Sequence, residues 1–263
     1  MPVKKEPNGR RSVQAEVEVP GTPEDVWNAI ATGPGVTSWF VPSQVEEHVG
    51  GAVVTSFGPG MDSKAEVTEW DPPRRFVAEG RDEGGPAVAT EWVVQARGGG
   101  TCIVRVVHSW FASNDDWDDQ FEGHSYGWQA FFRSLRLYLT HFRGRHAQCM
   151  QLLAAAPGTP DAAFSTLVRA LGIGSPQPGA HITSKGAPVL DGTVAHVGPD
   201  AHPELSIRLD APAPGIAHLF ALAMGPQTFL VVRLYLFGEH SREQVAREQR
   251  VWQEFLRAQL PSI

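Results

Sequence analysis

Between Val13 and Val19 the apolar residues Val13, Ala15, Val17 and Val19 alternate with Gln14, Glu16 and Glu18. A period of two predicts a half-buried strand. Pro20-Gly21-Thr22-Pro23-Glu24-Asp25 follows. Thr22 is a good helix N-cap, Pro23 suits the first helical position, and Asp25 sits where a capping box needs an acceptor. Val26, Trp27 and Ile30 give this short helix its apolar face, and Gly33-Pro34-Gly35 ends it. A second short helix is expected over 36–40, before Pro42. Apolar runs over 45–49, 52–57, 65–70, 75–79, 88–95 and 102–111 then alternate with glycine- and proline-rich turns. They predict an antiparallel meander. From about Gly123 the period becomes helical, with Trp128, Phe131, Phe132, Leu135, Leu139 and Phe142 on one face.

This order places one long helix after many strands. A curved antiparallel sheet of that length has one apolar face, and only the terminal helix is long enough to cover it. The expected class is α+β, with a groove between sheet and helix.

The opening pattern recurs. Pro20-Gly21-Thr22-Pro23-Glu24 returns as Pro157-Gly158-Thr159-Pro160-Asp161. Trp128-Gln129-Ala130-Phe131-Phe132-Arg133 returns as Trp252-Gln253-Glu254-Phe255-Leu256-Arg257, and Ile103–Val107 is matched loosely by Val231–Tyr235. Three matches in one order indicate a duplication whose second copy has lost loops or a strand. The expected domains are 12–154 and a shortened copy over 155–263, with almost no linker between them.

Charge follows the same division. The chain has 263 residues and a net charge of −7, which disfavours a nucleic-acid binder or a polybasic membrane-surface protein. Residues 1–149 carry a net −6 and residues 150–263 a net −1, and seven of the eight Trp fall in the first part. The charged N-terminus is not a signal peptide. The uncharged stretch from Ala211 to Val232 is broken by prolines and glycines, so no membrane insertion is expected, and a cytoplasmic location is the default. Cys102 and Cys149 have no metal spacing and do not indicate a disulfide framework. No phosphate loop, nucleophile elbow, metalloprotease or dinucleotide motif is present.

Strand alternation selects candidate residues. If Arg105 faces solvent, Cys102, Val104, Val106, His108 and Trp110 share the inner face. If Glu91 faces out, Thr90, Trp92 and Val94 face in. Trp92, Trp110 and Trp128 then line an apolar groove with His108 as its polar point, or simply form core. An imidazole there can hydrogen-bond a ligand, move a proton, or be a satisfied core histidine. In the second copy Leu236 and Gly238 match His108 and Trp110, so the first copy is the better binding candidate. Asp115, Asp116, Asp118, Asp119 and Glu122 read as a solvated loop rather than a calcium site, lacking the glycine and terminal acid of an EF-hand. His141 and His146 lie five apart, off one helical face, which argues against metal. Arg242, Arg247 and Arg250 with Glu243 and Glu248 read as the solvated side of a helix.

Thr22 to Ile30 followed by Trp39-Phe40, Trp70-Asp71-Pro72-Pro73-Arg74-Arg75-Phe76-Val77, Val107-His108-Ser109, and Gly127-Trp128 with Leu135 and Leu139 together resemble the heat-shock-protein-90 ATPase activator-like family. That family belongs to the START-like (SRPBCC) superfamily. The resemblance covers about Val13 to Phe142, and the second half shares it only through the repeat. It implies a helix-grip fold, a curved sheet around a long C-terminal helix, and a cavity for a hydrophobic small molecule such as a lipid or polyketide. Some relatives are polyketide cyclases or aromatases, and others act on a chaperone. The expected ligand-binding set is Trp39, Phe40, Trp92, His108, Trp110, Trp128, Phe132 and Leu135, with no catalytic residue, no metal and no cofactor. A cyclase would need a polar pair, and Tyr126 and His124 at the helix start are the candidates to join His108. Binding is therefore the expected function, with cyclisation, a chaperone partner or self-association as alternatives.

Overall fold

The computed structural model describes residues 3–7, 9–58, 60–81, 87–111, 118–239 and 241–259, and side chains outside 111–126. It divides into two compact units, Met1–Gly144 and Arg145–Ile263.

The first unit is an antiparallel sheet with one long helix. β1 (Lys4–Lys5) and β2 (Arg10–Pro20) precede α1 (Pro23–Ala31) and α2 (Gly33–Thr37). The strands β3 (Ser43–Val45), β4 (Ala52–Ser56), β5 (Asp62–Asp71), β6 (Arg75–Arg81), β7 (Ala87–Arg97) and β8 (Thr101–Phe111) follow, and α3 (Asp118–His141) closes the unit. The sheet order is β1-β2-β8-β7-β6-β5-β4-β3. The first full strand thus returns beside the last, with Val13 opposite His108.

Local chemistry fixes the helices. The Thr22 hydroxyl accepts from the Asp25 amide at 3.2 Å, and the Asp25 carboxylate accepts from the Thr22 amide at 3.0 Å. This is a complete capping box; a cap of this kind contributes ~1 kcal/mol. α2 starts earlier than the sequence pattern predicts. Thr32 caps it by accepting from the Gly35 amide at 3.1 Å, and Pro34 fits its first turn. Gly35 is required there: a Cβ would lie 1.8 Å from the Asn28 carbonyl oxygen.

Trp128, Phe132, Leu135 and Leu139 on the inner face of α3, and Phe142 just past its end, are buried at alternating spacings of four and three. α3 packs along β2. The outer face of the sheet is held by charge: Arg75 bridges Glu69 and Glu91, and Arg105 meets Glu16 at 3.4 Å.

The second unit repeats the plan with fewer parts. It runs β9 (Ala147–Ala156), α4 (Pro160–Leu171), β10 (His181–Thr183), β11 (Asp191–Val197), β12 (Glu204–Ala211), β13 (Gly215–Met224), β14 (Gln227–Phe237) and α5 (Ser241–Gln259). Its order is β10-β11-β12-β13-β14-β9. Thr159 caps α4 as Thr22 caps α1. The units part at Gly144/Arg145 and not between 154 and 155, because Ala147–Ala156 is the partner of β14 and so the counterpart of β2. The fold is α+β, a helix-grip architecture in two tandem copies.

The interior of the second unit is filled. Leu205, Ile207, Leu219, Leu230, Leu234 and Trp252 belong to one buried cluster. On the other face of this sheet the buried Glu204 carboxylate accepts from two imidazoles, His196 Nε2 and His218 Nε2, each at 3.0 Å. Among the described residues, no helix is long and apolar enough to cross a membrane.

Candidate ligand-binding site

A half-open cavity of about 740 Å³ lies between the first unit's sheet and α3. That volume lies within the ~300–1,000 Å³ typical of small-molecule sites.

The floor is aromatic. Phe40, just past α2, stacks on Trp128 with ring centres 5.3 Å apart and planes at 8°. Phe131 meets the Phe40 ring edge-on at 4.2 Å, and Trp92 meets Trp128 edge-on at 5.2 Å. Offset and edge-on pairs of this kind contribute ~0.5–1.5 kcal/mol each beyond burial.

The opposite wall has an ordered polarity. Ser43, Thr55 and Ser63 are cross-strand partners on β3, β4 and β5, and all three line the cavity. Two residues along, Val45, Val53 and Ala65 form a second cross-strand row, also lining it. Side chains two apart share a strand face, so the wall presents a hydroxyl row beside an aliphatic row. All six are half-buried, as side chains facing a cavity rather than packed core should be.

His108 joins wall and floor. Its Nε2 accepts from the Trp128 indole N–H at 2.7 Å. An indole N–H only donates, so Nε2 must carry a lone pair, and the neutral ring then bears its proton on Nδ1. Nδ1 lies 2.9 Å from Thr90 Oγ1 and donates to it. Strand register places Thr90 directly opposite His108.

Of the eight candidate residues, Phe40, Trp92, His108 and Trp128 line the cavity. The other four are set back from it. Trp39 is fully buried and donates its indole N–H to the Ala29 carbonyl at 2.8 Å, pinning the chain after α2 to α1. Trp110 packs with Val13, Val3 and Val88. Phe132 and Leu135 are buried on α3. Phe57, Met61, Phe131 and the two rows on β3–β5 also line the space. Phe131 lay on the apolar face of the helical pattern, whereas the rows follow from the register of short edge strands, which no local signal reveals. Asp115, Asp116 and the side chains of Asp118, Asp119, Glu122, His124 and Tyr126 lie outside the described residues.

The second unit's match to His108 shifts. Pairing Val13 with His108 and Met150 with Leu234 makes Leu234, not Leu236, the structural equivalent, and Leu236 rather than Gly238 stands for Trp110. Leu234 is fully buried, in keeping with a filled interior. Elsewhere on this unit His181, Asp191 and Asp210 bring three possible ligand atoms within 4.8 Å of one another. Asp210 is already held by Arg208 at 2.8 Å, and Asp191 accepts from the Thr183 hydroxyl at 2.6 Å.

Residues 20–140 match the family model described as activator of Hsp90 ATPase homolog 1-like protein. No curated protein matches the sequence. Among solved structures, DynU16 from the dynemicin biosynthetic locus is 18% identical over 93% of this chain and 96% of its own, with a TM-score of 0.44. The di-domain ARO/CYC protein BexL from the BE-7585A biosynthetic pathway is 13% identical over 96% of this chain and 99% of its own, with a TM-score of 0.45. The Aha1 dimer from Colwellia psychrerythraea is 19% identical over 51% of this chain and 98% of its own, with a TM-score of 0.43.

Proposed function

We propose that the first unit binds a hydrophobic small molecule, of lipid or polyketide type, in the cavity between its sheet and α3. The observation that carries this reading is the cavity itself, about 740 Å³ with an aromatic floor and a row of hydroxyls on β3–β5. A body that is flat and apolar gains from stacking on Phe40, Trp92 and Trp128, while Ser43, Thr55 and Ser63 select for polar substituents along one edge. Burial of apolar ligand surface supplies the affinity, at ~25 cal/mol per Å², and the few polar groups set orientation.

A cyclase or aromatase would need a group able to take a proton. Both ring nitrogens of His108 are engaged in the wall, one accepting from Trp128 and the other donating to Thr90. His108 then serves to orient Trp128 rather than to exchange protons with a ligand.

The test is titration of the full chain with 1-anilinonaphthalene-8-sulfonate and with fatty acids, followed by tryptophan fluorescence. Saturable binding is expected, with mutual competition. Trp128→Ala should weaken it ~3–10-fold, the worth of one lost aromatic stack. Absence of any saturable apolar ligand overturns the reading. Native mass spectrometry of gently purified protein would identify a co-purifying molecule.

A further inference from the structure

The direction of the hydrogen bonds around His108 decides what the cavity wall offers a ligand. Trp128 donates to His108 Nε2 at 2.7 Å, so the neutral ring carries its proton on Nδ1 and donates it to Thr90 Oγ1 at 2.9 Å. A hydroxyl that accepts still holds its own hydrogen. No described residue accepts the hydrogen of Thr90. On β7, Val88, Thr90 and Trp92 alternate onto the face that lines the cavity, and Thr90 is half-buried there.

Ser43 differs from Thr90 in this respect. Its hydroxyl donates to the Val41 carbonyl at 2.8 Å, so its hydrogen is spent within the wall. At Thr90 the imidazole engages the oxygen and leaves the hydrogen to the cavity. The chain from Trp128 through His108 also polarises that O–H, because linked hydrogen bonds strengthen one another in a low-dielectric site. Thr90 stands beside the floor: Trp92 is two residues along the same strand face, and Trp128 is one imidazole away.

The charge of an acceptor is limited as well. No lysine or arginine is among the described residues lining the cavity, and the neutral His108 brings no positive charge. An anionic acceptor buried there loses its hydration without gaining a counter-charge.

We propose that Thr90 is the donor that selects the cavity's ligand, taking a neutral carbonyl oxygen on a flat apolar body that lies on Phe40, Trp92 and Trp128, with His108 as a positioning residue. This rests on the reading of the cavity as a ligand site and adds the group its ligand must carry.

The full chain should be titrated, by tryptophan fluorescence, with three ligands on one ring frame. These are 9-fluorenone, fluorene, which has a methylene in place of the carbonyl, and fluorene-9-carboxylate, which carries an anionic acceptor. Fluorenone should bind ~3–10-fold more tightly than fluorene, the worth of one net hydrogen bond, and the carboxylate more weakly than the ketone. Thr90→Val should bring fluorenone and fluorene to within about 2-fold of each other, and Thr90→Ser, which keeps the hydroxyl, should retain the preference. The infrared carbonyl band of bound fluorenone should lie below its position in hexane for the unaltered chain and Thr90→Ser, and return towards it in Thr90→Val. Lost packing alone does not move that band. Equal affinity for ketone and hydrocarbon in the unaltered chain overturns the proposal, as does a preference that survives Thr90→Val, a carboxylate that binds more tightly than the ketone, or an unshifted band. If Thr90→Val does not fold, the ligand series and the band still decide. If 1-anilinonaphthalene-8-sulfonate saturates and fluorenone does not, this proposal fails alone; if no apolar probe saturates, the cavity reading fails with it.

Discussion

The Trp128 indole N–H donates to His108 Nε2 at 2.7 Å, tying the closing helix to the strand that pairs with the first full strand of the unit. The bond holds one of the two indoles of the cavity floor in place and sets the imidazole tautomer. Removing the imidazole with His108→Ala leaves the indole N–H and the Thr90 hydroxyl without that partner. The variant should lose ~1–3 kcal/mol of stability, the cost of unsatisfied part-buried polar groups. Its tryptophan emission should shift as Trp128 loses its fixed orientation. Urea denaturation and emission spectra check both. Unchanged stability together with unchanged emission would show that the bond does not orient Trp128.

Trp39 and Trp128 are both buried, but only Trp128 faces the cavity, so their replacements should separate. Trp39→Ala removes a fully buried ring and its bond to the Ala29 carbonyl, and should cost ~3–5 kcal/mol in stability. Trp128→Ala should also cost stability, through lost packing and its bond to His108, and should in addition weaken apolar ligands, whose binding Trp39→Ala should leave unchanged. Thermal melts and fluorescence titrations of the two variants side by side test the distinction.

Asp25 gives the fold an acid dependence. The Thr22 backbone N–H, and then the Arg143 guanidinium, hold its carboxyl below the usual value of 3.8, against an opposing effect of burial. A carboxyl lowered in the folded state contributes stability that is present above its unfolded pKa. That contribution is lost as pH falls through the folded value. Asp25→Asn should therefore be less stable than the unaltered chain at neutral pH, and the two should converge in strong acid. Denaturation midpoints measured across that range test this; a constant difference would exclude Asp25 as the source.

Glu204 receives both His196 and His218 within the second unit. Glu204→Ala removes a buried acceptor shared by two imidazoles, and the loss of such a buried hydrogen-bonding group typically costs ~1–3 kcal/mol. The second unit should melt earlier in calorimetry, with the first unit's apolar ligand binding retained.

Much of this was legible from alternation. Arg105 and Glu91 point outward in charge pairs, so the inner positions of Trp92 and His108 followed from parity alone. The capping chemistry of Thr22 placed α1 correctly. Neighbouring aromatics were harder to sort: Trp39 and Phe40 are adjacent, yet one anchors α1 and the other forms the floor, because the turn after α2 sets their directions. The strand Ala147–Ala156 was missed because its alanines carry little apolar contrast between faces. Glu248 is buried rather than solvated, and charge spacing on a helix does not reveal which turn lies against neighbouring loops.

The row formed by Ser43, Thr55 and Ser63 lies on the three strands at one edge, whereas the aromatic floor is built from the segment after α2, the sheet's middle and the closing helix. On the proposed reading, recognition and cohesion fall to different parts of one domain. Replacing hydroxyls along this margin can retune which molecules are accepted without disturbing the stacked rings, so descendants of this chain can change ligand while inheriting the same scaffold.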